Sequence, residues 1–156
     1  MKNSMLERWK SKKEDKFKDE WIRGIIKGLG ELDNEIARKV LKVCGESCAK
    51  SWIKTYGYNP EFYNIDSWIK LVNELEPGIR DVRKEDNIII YELKPGECVC
   101  PLVTRGVVEL SRKLCLACAP NFFEYIFGKA ARKPVKVELV ESYATGANKC
   151  VFRVYL

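Results

Sequence analysis

Apolar residues recur at helical spacing through the first half of the chain. A stripe over residues 4–29 predicts a first helix that ends near Gly28 and Gly30. Asp33 is a good N-cap for a second helix, because apolar positions then repeat every three or four residues as far as Cys44.

The course of the chain after Cys44 has two possible forms. Residues 44–48 either break the second helix or carry it on toward Trp52. A third helix is predicted over Ile65–Leu75, since its apolar residues again share one face and residues 77–78, Pro-Gly, would stop it.

The pattern changes in the second half, where β-branched and alternating segments predict strands. Residues 87–93 are short, β-branched and bounded by turn residues, and residues 135–142 begin with strict alternation. Residues 150–156 follow a short connection and predict a hairpin that closes the chain. A helix is predicted over residues 111–129, where Pro120 indicates a kink or a helix that starts just before it.

Helices first and strands mainly later predict an α+β fold, with N-terminal helices packed on a C-terminal antiparallel sheet. The 156 residues are enough for one domain with a proper core. We therefore expect a single domain over residues 1–156, with a helical part over about 4–76 and a sheet-containing part over about 87–156.

Composition narrows the class of protein. Hydrophobic residues make up 46% and charged residues 32%, which is ordinary for a globular protein. No apolar run approaches the roughly 18 residues of a membrane span, and no signal peptide is visible, so we expect a cytoplasmic protein without a membrane partner. The net charge is +6, but acidic residues interrupt the basic ones near the N-terminus. That mixture is typical of a solvated helix face, and we expect no nucleic-acid partner.

Cysteine is unusually abundant and histidine is absent. The chain has seven cysteines, which cannot all pair within one molecule, and a reducing cytosol disfavours disulfides in any case. Without histidine the most usual general base and nitrogen ligand are both missing. Any chemistry must therefore use thiolates, carboxylates, Lys, Tyr or a bound metal.

The spacing of the cysteines predicts a metal site. Residues three or four apart share a helix face, and thiolates are soft ligands that suit zinc or an iron–sulfur cluster. Two pairs suffice for a tetrahedral four-sulfur site, with zinc the first expectation and an iron–sulfur cluster the alternative. The predicted ligands are Cys98, Cys100, Cys115 and Cys118, with Cys44 and Cys48 in second place. Cys150, on an apolar strand, is expected to serve packing, with membership of the same metal set as the alternative.

Two other kinds of site stay open. Cys115 and Cys118 have the C-x-x-C spacing of a redox or nucleophilic thiol near a helix start. A metal-activated water with Glu124, Glu138 or Glu141 as base would instead give a hydrolase, and no catalytic residue can be assigned between them. Aromatic residues cluster at Phe122, Phe123 and Tyr125, where they form either core or the wall of a small-molecule pocket, and core is favoured.

The C-terminal 45 residues or so resemble the end of the 4-vinyl reductase domain. That family's pattern has a Cys before a helix, a "G-x-x-V-x-V-E" strand, an E-x-x-C and a Gly four residues before a Cys-x-Phe strand. The matching positions are Cys115, Phe127, Gly128, residues 134–142, Gly146 and residues 150–152. Where the family has the Glu and Cys of E-x-x-C, this chain has Leu139 and Ser142.

The early Cys-Gly-x-x-Cys and the Cys-x-Cys-Pro before the last helix look most like uncharacterised prokaryotic proteins near the L-2-amino-thiazoline-4-carboxylic acid hydrolase-like families. The resemblances imply an α+β small-molecule-binding module, in some members with a structural zinc. The leading hypothesis is thus a zinc-binding module with a small-molecule ligand. The alternatives are a small-heterocycle hydrolase, an iron–sulfur or thiol redox protein, and a homodimer formed through the aromatic helix.

Overall fold

The computed structural model describes residues 16–75, 79–96 and 98–156. Its helices and strands follow each other along the chain as α1, α2, α3, β1, β2, α4, α5, β3 and β4. The helices are Lys16–Glu31 (α1), Asn34–Tyr56 (α2), Ile65–Leu75 (α3), Pro101–Thr104 (α4) and Arg112–Ala131 (α5). The strands are Ile79–Glu85 (β1), Ile88–Leu93 (β2), Lys136–Glu141 (β3) and Val151–Tyr155 (β4).

The first two helices confirm most of what the hydrophobic pattern predicts. The side chain of Asp33 accepts a hydrogen bond from the Glu35 amide at 2.8 Å, so Asp33 is the N-cap of α2. Helix α2 continues through residues 44–48 and ends at Gly57, which has a φ of 78°. Helix α1 ends at Glu31, one residue after Gly30 and close to the end predicted from Gly28 and Gly30; residues 4–15 lie outside the described residues.

Helix α5 begins next to its predicted start at residue 111 and passes through its proline. The Ser111 side chain accepts a hydrogen bond from the Leu114 amide at 3.1 Å. Pro120 lies inside the helix, and so the expectation of a helix start just before it is wrong. Helix α3 has the predicted bounds, while residues 77–78, expected to stop it, lie outside the described residues.

The strands form one four-stranded antiparallel sheet in the order β1-β2-β4-β3. Strands β2, β3 and β4 are the predicted ones, and β3 pairs with β4 as the closing hairpin requires. Strand β1 was not predicted. It lies at the edge of the sheet, and the side chain of Asn73 anchors it by bonding both the amide and the carbonyl of Val82, at 2.9 and 2.7 Å.

The core lies between the helices and one face of the sheet, which confirms an α+β fold with helices packed on an antiparallel sheet. Its largest buried side chains include Trp68 of α3, Phe127 of α5 and Ile89 of β2. A second, smaller apolar cluster lies where α1 and α2 meet the loop after α4, around Leu41 and Val107. Among the described helices, none has the length and apolar character to cross a bilayer.

Candidate functional site

Helices α2 and α5 approach each other most closely at Gly45. A Cβ atom placed on Gly45 would lie 2.6 Å from the carbonyl oxygen of Cys118 and 2.8 Å from the Cβ of Asn121. Such distances leave room only for hydrogen. The backbone of Cys118 therefore lies directly against α2, at a position flanked along that helix by Cys44 and Cys48.

The short helix α4 is held beside this crossing by apolar contacts. Leu102 and Val103 pack against the same small cluster as Cys118. The guanidinium of Arg23 donates to the carbonyl of Val107 at 2.8 Å and fixes the following loop to α1. Cys100, the N-cap residue of α4, is brought toward the two helices by this packing, and its side chain makes no capping hydrogen bond.

The remaining cysteines lie where β2 ends and β4 begins. The amide of Leu93 donates to the carbonyl of Cys150 at 3.0 Å, so the two strand ends are adjacent. The backbone of Cys100, which follows Cys98 closely, tends to lower the pKa of the Cys98 thiol and so partly offsets the rise that burial causes. The backbone of Tyr143 acts in the same way on the Cys150 thiol.

Desolvation raises the pKa of five of the seven thiols. Burial raises the pKa of the Cys115 and Cys118 thiols to about 12. It also raises the pKa of Cys98 and Cys150, and that of Cys48, although part of Cys48 is exposed. In the absence of a cation these thiols are therefore protonated at neutral pH and are weak nucleophiles.

Cys100 is the neighbour that most of the other thiols share. Burial is the largest cause of the raised pKa of Cys48 and Cys118, on the two helices. The charge of the Cys100 thiolate is a further, smaller cause at both of them. It has the same effect on Cys98 and Cys115. Like charges act in this way only over short distances. Each of the seven cysteines is thus linked by such an effect to at least one other, and we call this connected group the cysteine cluster: Cys44, Cys48, Cys98, Cys100, Cys115, Cys118 and Cys150.

The structure brings together every cysteine for which a metal role was predicted. It adds Cys150, which packs partly against the main core as expected but also lies close to Cys98 and Cys115. As the side chains stand, no three Cys, Asp or Glu residues in the described parts of the chain surround a single point as metal ligands. Metal binding at the cluster would therefore require some of the thiols to rotate.

The predicted ligand pocket is mostly core. Phe122 and Phe123 line an apolar cavity with Trp52 and Trp68, but its volume is about 20 Å³, room for about one water. Tyr125 does not line it, and its ring instead faces cations: the Nζ atoms of two lysines lie 5.0 and 5.5 Å from its centroid. A ligand larger than water would need these aromatic side chains to move.

Two of the carboxylates considered as general bases have structural partners. Glu124 accepts a hydrogen bond from the Val137 amide at 3.1 Å and so joins α5 to β3. Glu138 accepts one from the hydroxyl of Tyr155 at 2.8 Å, across β3 and β4. These contacts account for both residues without a catalytic role.

Most of the large exposed apolar residues lie outside the aromatic helix α5, although Leu116 of that helix is one of them. Phe123 and Phe127 of α5 are buried in the core. The first two helices and their connection carry a group of exposed apolar side chains instead: Trp21, Ile25, Leu32, Ile36, Val40 and Val43. A homodimer through the aromatic face of α5 would have to use side chains that are already buried in the core.

Sequence reasoning missed the importance of Gly45. Its signal was available: a glycine in the interior of a helical pattern lowers helix propensity and often marks close packing. The neighbouring cysteines single out residues 44–48 without indicating which helix would pack there.

Comparison with known proteins gives a likeness in fold alone. No protein-family model matches the sequence, and no curated protein matches it. Among solved structures, the chain is similar to a trafficking protein particle complex subunit 3 from Naegleria fowleri, determined covalently bound to palmitic acid. The TM-score is 0.51 at 10% sequence identity, and the alignment covers 91% of this chain and 96% of that one.

Proposed function

We propose that this protein is a metal-binding module in which the cysteine cluster holds zinc through thiolates. The observation that carries the proposal is that all seven cysteines, from α2, the segment before α4, α5 and the segment before β4, belong to one connected group of neighbouring thiols. Members such as Cys48 and Cys100 are far apart in the sequence, so their proximity depends on the fold.

The exposure of the cysteines supports a chemical role over simple packing. Free cysteine is among the residue types most often fully buried. Here two cysteines are exposed and five are half-buried, so none behaves as an ordinary core residue. A cluster of half-buried sulfurs beside two helices is accessible to an ion while its surroundings still exclude most water.

The same environment favours a divalent cation over a free thiolate nucleophile. A pKa of about 12 at Cys115 and Cys118 leaves very little thiolate at neutral pH. A bound divalent ion reverses this balance, because its own charge deprotonates the sulfurs it binds. Zinc suits four thiolates in a tetrahedral arrangement and needs no histidine.

A small-molecule ligand has less support than a metal. The core cavity holds about one water, which also leaves no room for an acyl chain like the palmitic acid of the structurally similar trafficking protein. A hydrolase acting through a free thiol is disfavoured by the raised pKa values. An iron–sulfur cluster uses the same ligands as zinc and is distinguished by its iron and acid-labile sulfide.

Elemental analysis of protein purified without oxygen tests the proposal. We expect at least about one equivalent of zinc per chain, since a structural site is close to fully occupied. The double variant C115S/C118S should lose metal, whereas S47A, a change of an exposed serine between two of the cysteines, should keep it. Less than about a tenth of an equivalent of any transition metal in the wild type would overturn the proposal.

A further inference from the structure

The first two helices leave a band of large apolar side chains open to solvent. Along the helices and the turn that joins them, these residues recur at intervals of three, four or seven positions, so those on one helix lie along one side of it. Between 39% and 64% of each residue is exposed. We call the six residues the α1–α2 face: Trp21, Ile25, Leu32, Ile36, Val40 and Val43.

Helix α1 has little packing of its own to hold it. Of residues 18–31, Leu29 alone is buried, and Ile22 and Ile26 are partly covered by the smaller apolar cluster. The stability of a helix in a protein comes mostly from the packing of its apolar side rather than from intrinsic propensity. Trp21 and Ile25 form a second apolar edge of α1 for which the described part of the chain provides no cover.

The exposed area matches what one subunit contributes to a dimer. The six side chains together leave roughly 600 Å² of apolar surface open, the upper end of what the largest patch on a monomer reaches. An interface of ordinary size covers about 800 Å² on each partner, and about two thirds of that area is apolar in homodimers. The α1–α2 face therefore supplies the apolar part of such an interface from each of two copies.

Charges beside the stripe on α2 complement each other under a two-fold axis. Lys39 and Glu46 lie seven residues apart on the edge of the stripe away from the buried Ala37. When two copies of a helix pack antiparallel, this edge faces the same edge of the partner. In the register that sets Val40 against the partner's Val43, Lys39 approaches the partner's Glu46. The symmetry repeats that pair of opposite charges on the other side of the axis.

We propose that a second copy of this chain covers the α1–α2 face, in a two-fold dimer in which α2 packs antiparallel on α2 of the partner. A lipid surface suits the face less well, because amphipathic helices that lie on membranes carry mainly Lys and Arg beside their apolar side. Here Glu35 and Glu46 alternate with Lys39 and Lys42 along α2. The dimer does not depend on metal binding, so it stands or falls separately from the proposed function.

Sedimentation equilibrium of the full chain, with a thiol reductant present to prevent disulfides between chains, tests the dimer. At roughly 100 µM, above the micromolar upper range of dissociation constants for interfaces of this size, we expect twice the mass of one chain. I36E/V43E and W21E/I25E should each raise the dissociation constant by at least about a hundredfold, because each puts two charges into the interface. F62E/V140E is the matched control: it changes two exposed apolar residues outside the face and should keep the wild-type value.

Reversal of the two charges tests the antiparallel register. K39E and E46K each set like charges against each other at both symmetry-related positions, so each should weaken the dimer by roughly threefold to tenfold. The double variant K39E/E46K restores opposite charges and should return the dissociation constant to within about a factor of two of the wild type. Equal values for the wild type and both single variants would overturn the antiparallel register.

Other results would overturn the dimer itself. A wild-type chain that stays monomeric at this concentration contradicts it, and binding of that monomer to phosphatidylserine vesicles would assign the face to lipid instead. A dimer that survives I36E/V43E must use another surface, and one that survives W21E/I25E does not include α1. Circular dichroism establishes that each variant is folded before its mass is measured.

Discussion

The position of the cysteines depends most directly on a residue that carries no side chain. Gly45 lets the backbone of Cys118 approach α2 so closely that a Cβ would lie 2.6 Å from its carbonyl oxygen. Backbone atoms cannot move aside as the end of a flexible side chain can. Any larger residue at this position must therefore push α5 away from α2 and move Cys118 away from Cys44 and Cys48.

Replacing Gly45 by alanine tests this role. Although alanine favours helix, we expect G45A to destabilise the protein by about 1–3 kcal/mol, the usual cost of overpacking. Its zinc content should also fall. G24A is the matched control: Gly24 is exposed in α1, and a Cβ added there would meet nothing within 4 Å, so alanine should be neutral or stabilise by up to about 1 kcal/mol. Urea denaturation measures both; equal stabilities for G45A and the wild type would contradict the prediction.

The candidate site could be predicted only in part from individual residues. Pairs such as Cys115 and Cys118 are visible in the sequence because helical spacing places both on one face. Which pairs lie next to each other depends on contacts between distant segments, such as the contact of Gly45 with Cys118. A local sequence pattern does not contain such contacts. The surroundings of Cys150 illustrate the same limit, because nothing near it in the sequence indicates that β4 begins beside the end of β2.

At the scale of elements, strand β1 shows where the hydrophobic pattern fails. Of its seven residues only Ile79 and Val82 are buried, and the others are polar or charged. An edge strand tolerates this composition because one of its sides faces solvent. Its place is fixed by pairing with β2 and by Asn73 of α3, contacts that a search for alternating apolar residues does not detect.

An ion pair holds β2 to the chain just before β4. The Glu92 carboxylate, of which 13% is exposed, accepts a hydrogen bond from Lys149 at 2.8 Å, and Arg80 and Arg83 lie 3.6 and 3.9 Å away. The bond from Lys149, with the nearby positive charges, lowers the pKa of Glu92 below its usual 4.5. The pair lies next to Cys150 in the sequence and helps to position that residue.

Substitution of Glu92 by glutamine should have an effect that depends on pH. A depressed carboxyl pKa means that the pair stabilises the fold above the ordinary pKa, and that this contribution is lost as the pH falls through the folded value. We expect E92Q to cost about 1 kcal/mol at neutral pH and nothing well below pH 4.5. Urea denaturation at the two pH values measures this. A difference in the free energy of unfolding between E92Q and the wild type that is the same at both pH values would contradict the prediction. E74Q, which changes an exposed carboxylate of α3, is the control.

At the scale of the whole molecule, the cysteine cluster lies where separately anchored parts of the fold meet. The sheet and α3 share the main core with the C-terminal part of α5, whereas α1, α4 and the first turns of α5 pack around the smaller cluster near Leu41 and Val107. Few buried apolar side chains belong to the smaller cluster, so its own packing contributes less stability. A bound ion would join these two regions through ligands on both sides.

Metal removal should therefore affect one part of the molecule more than the other. A ligand present at a hundred times its dissociation constant stabilises the folded state by about 2.7 kcal/mol, which corresponds to a melting temperature about 5–11 °C higher for a chain of this size. We expect a chelator to reverse that gain and to speed amide hydrogen exchange in residues 44–48, 98–104 and 112–118. Exchange in β2 and β4 away from Cys150 should change little, because the main core protects them without metal. The same chelator added to C115S/C118S should have a smaller effect, since that variant lacks two of the proposed ligands. A uniform rise in exchange along the chain would mean that the ion supports the entire fold, and no change in melting temperature would mean that the thiols bind no metal that matters for stability.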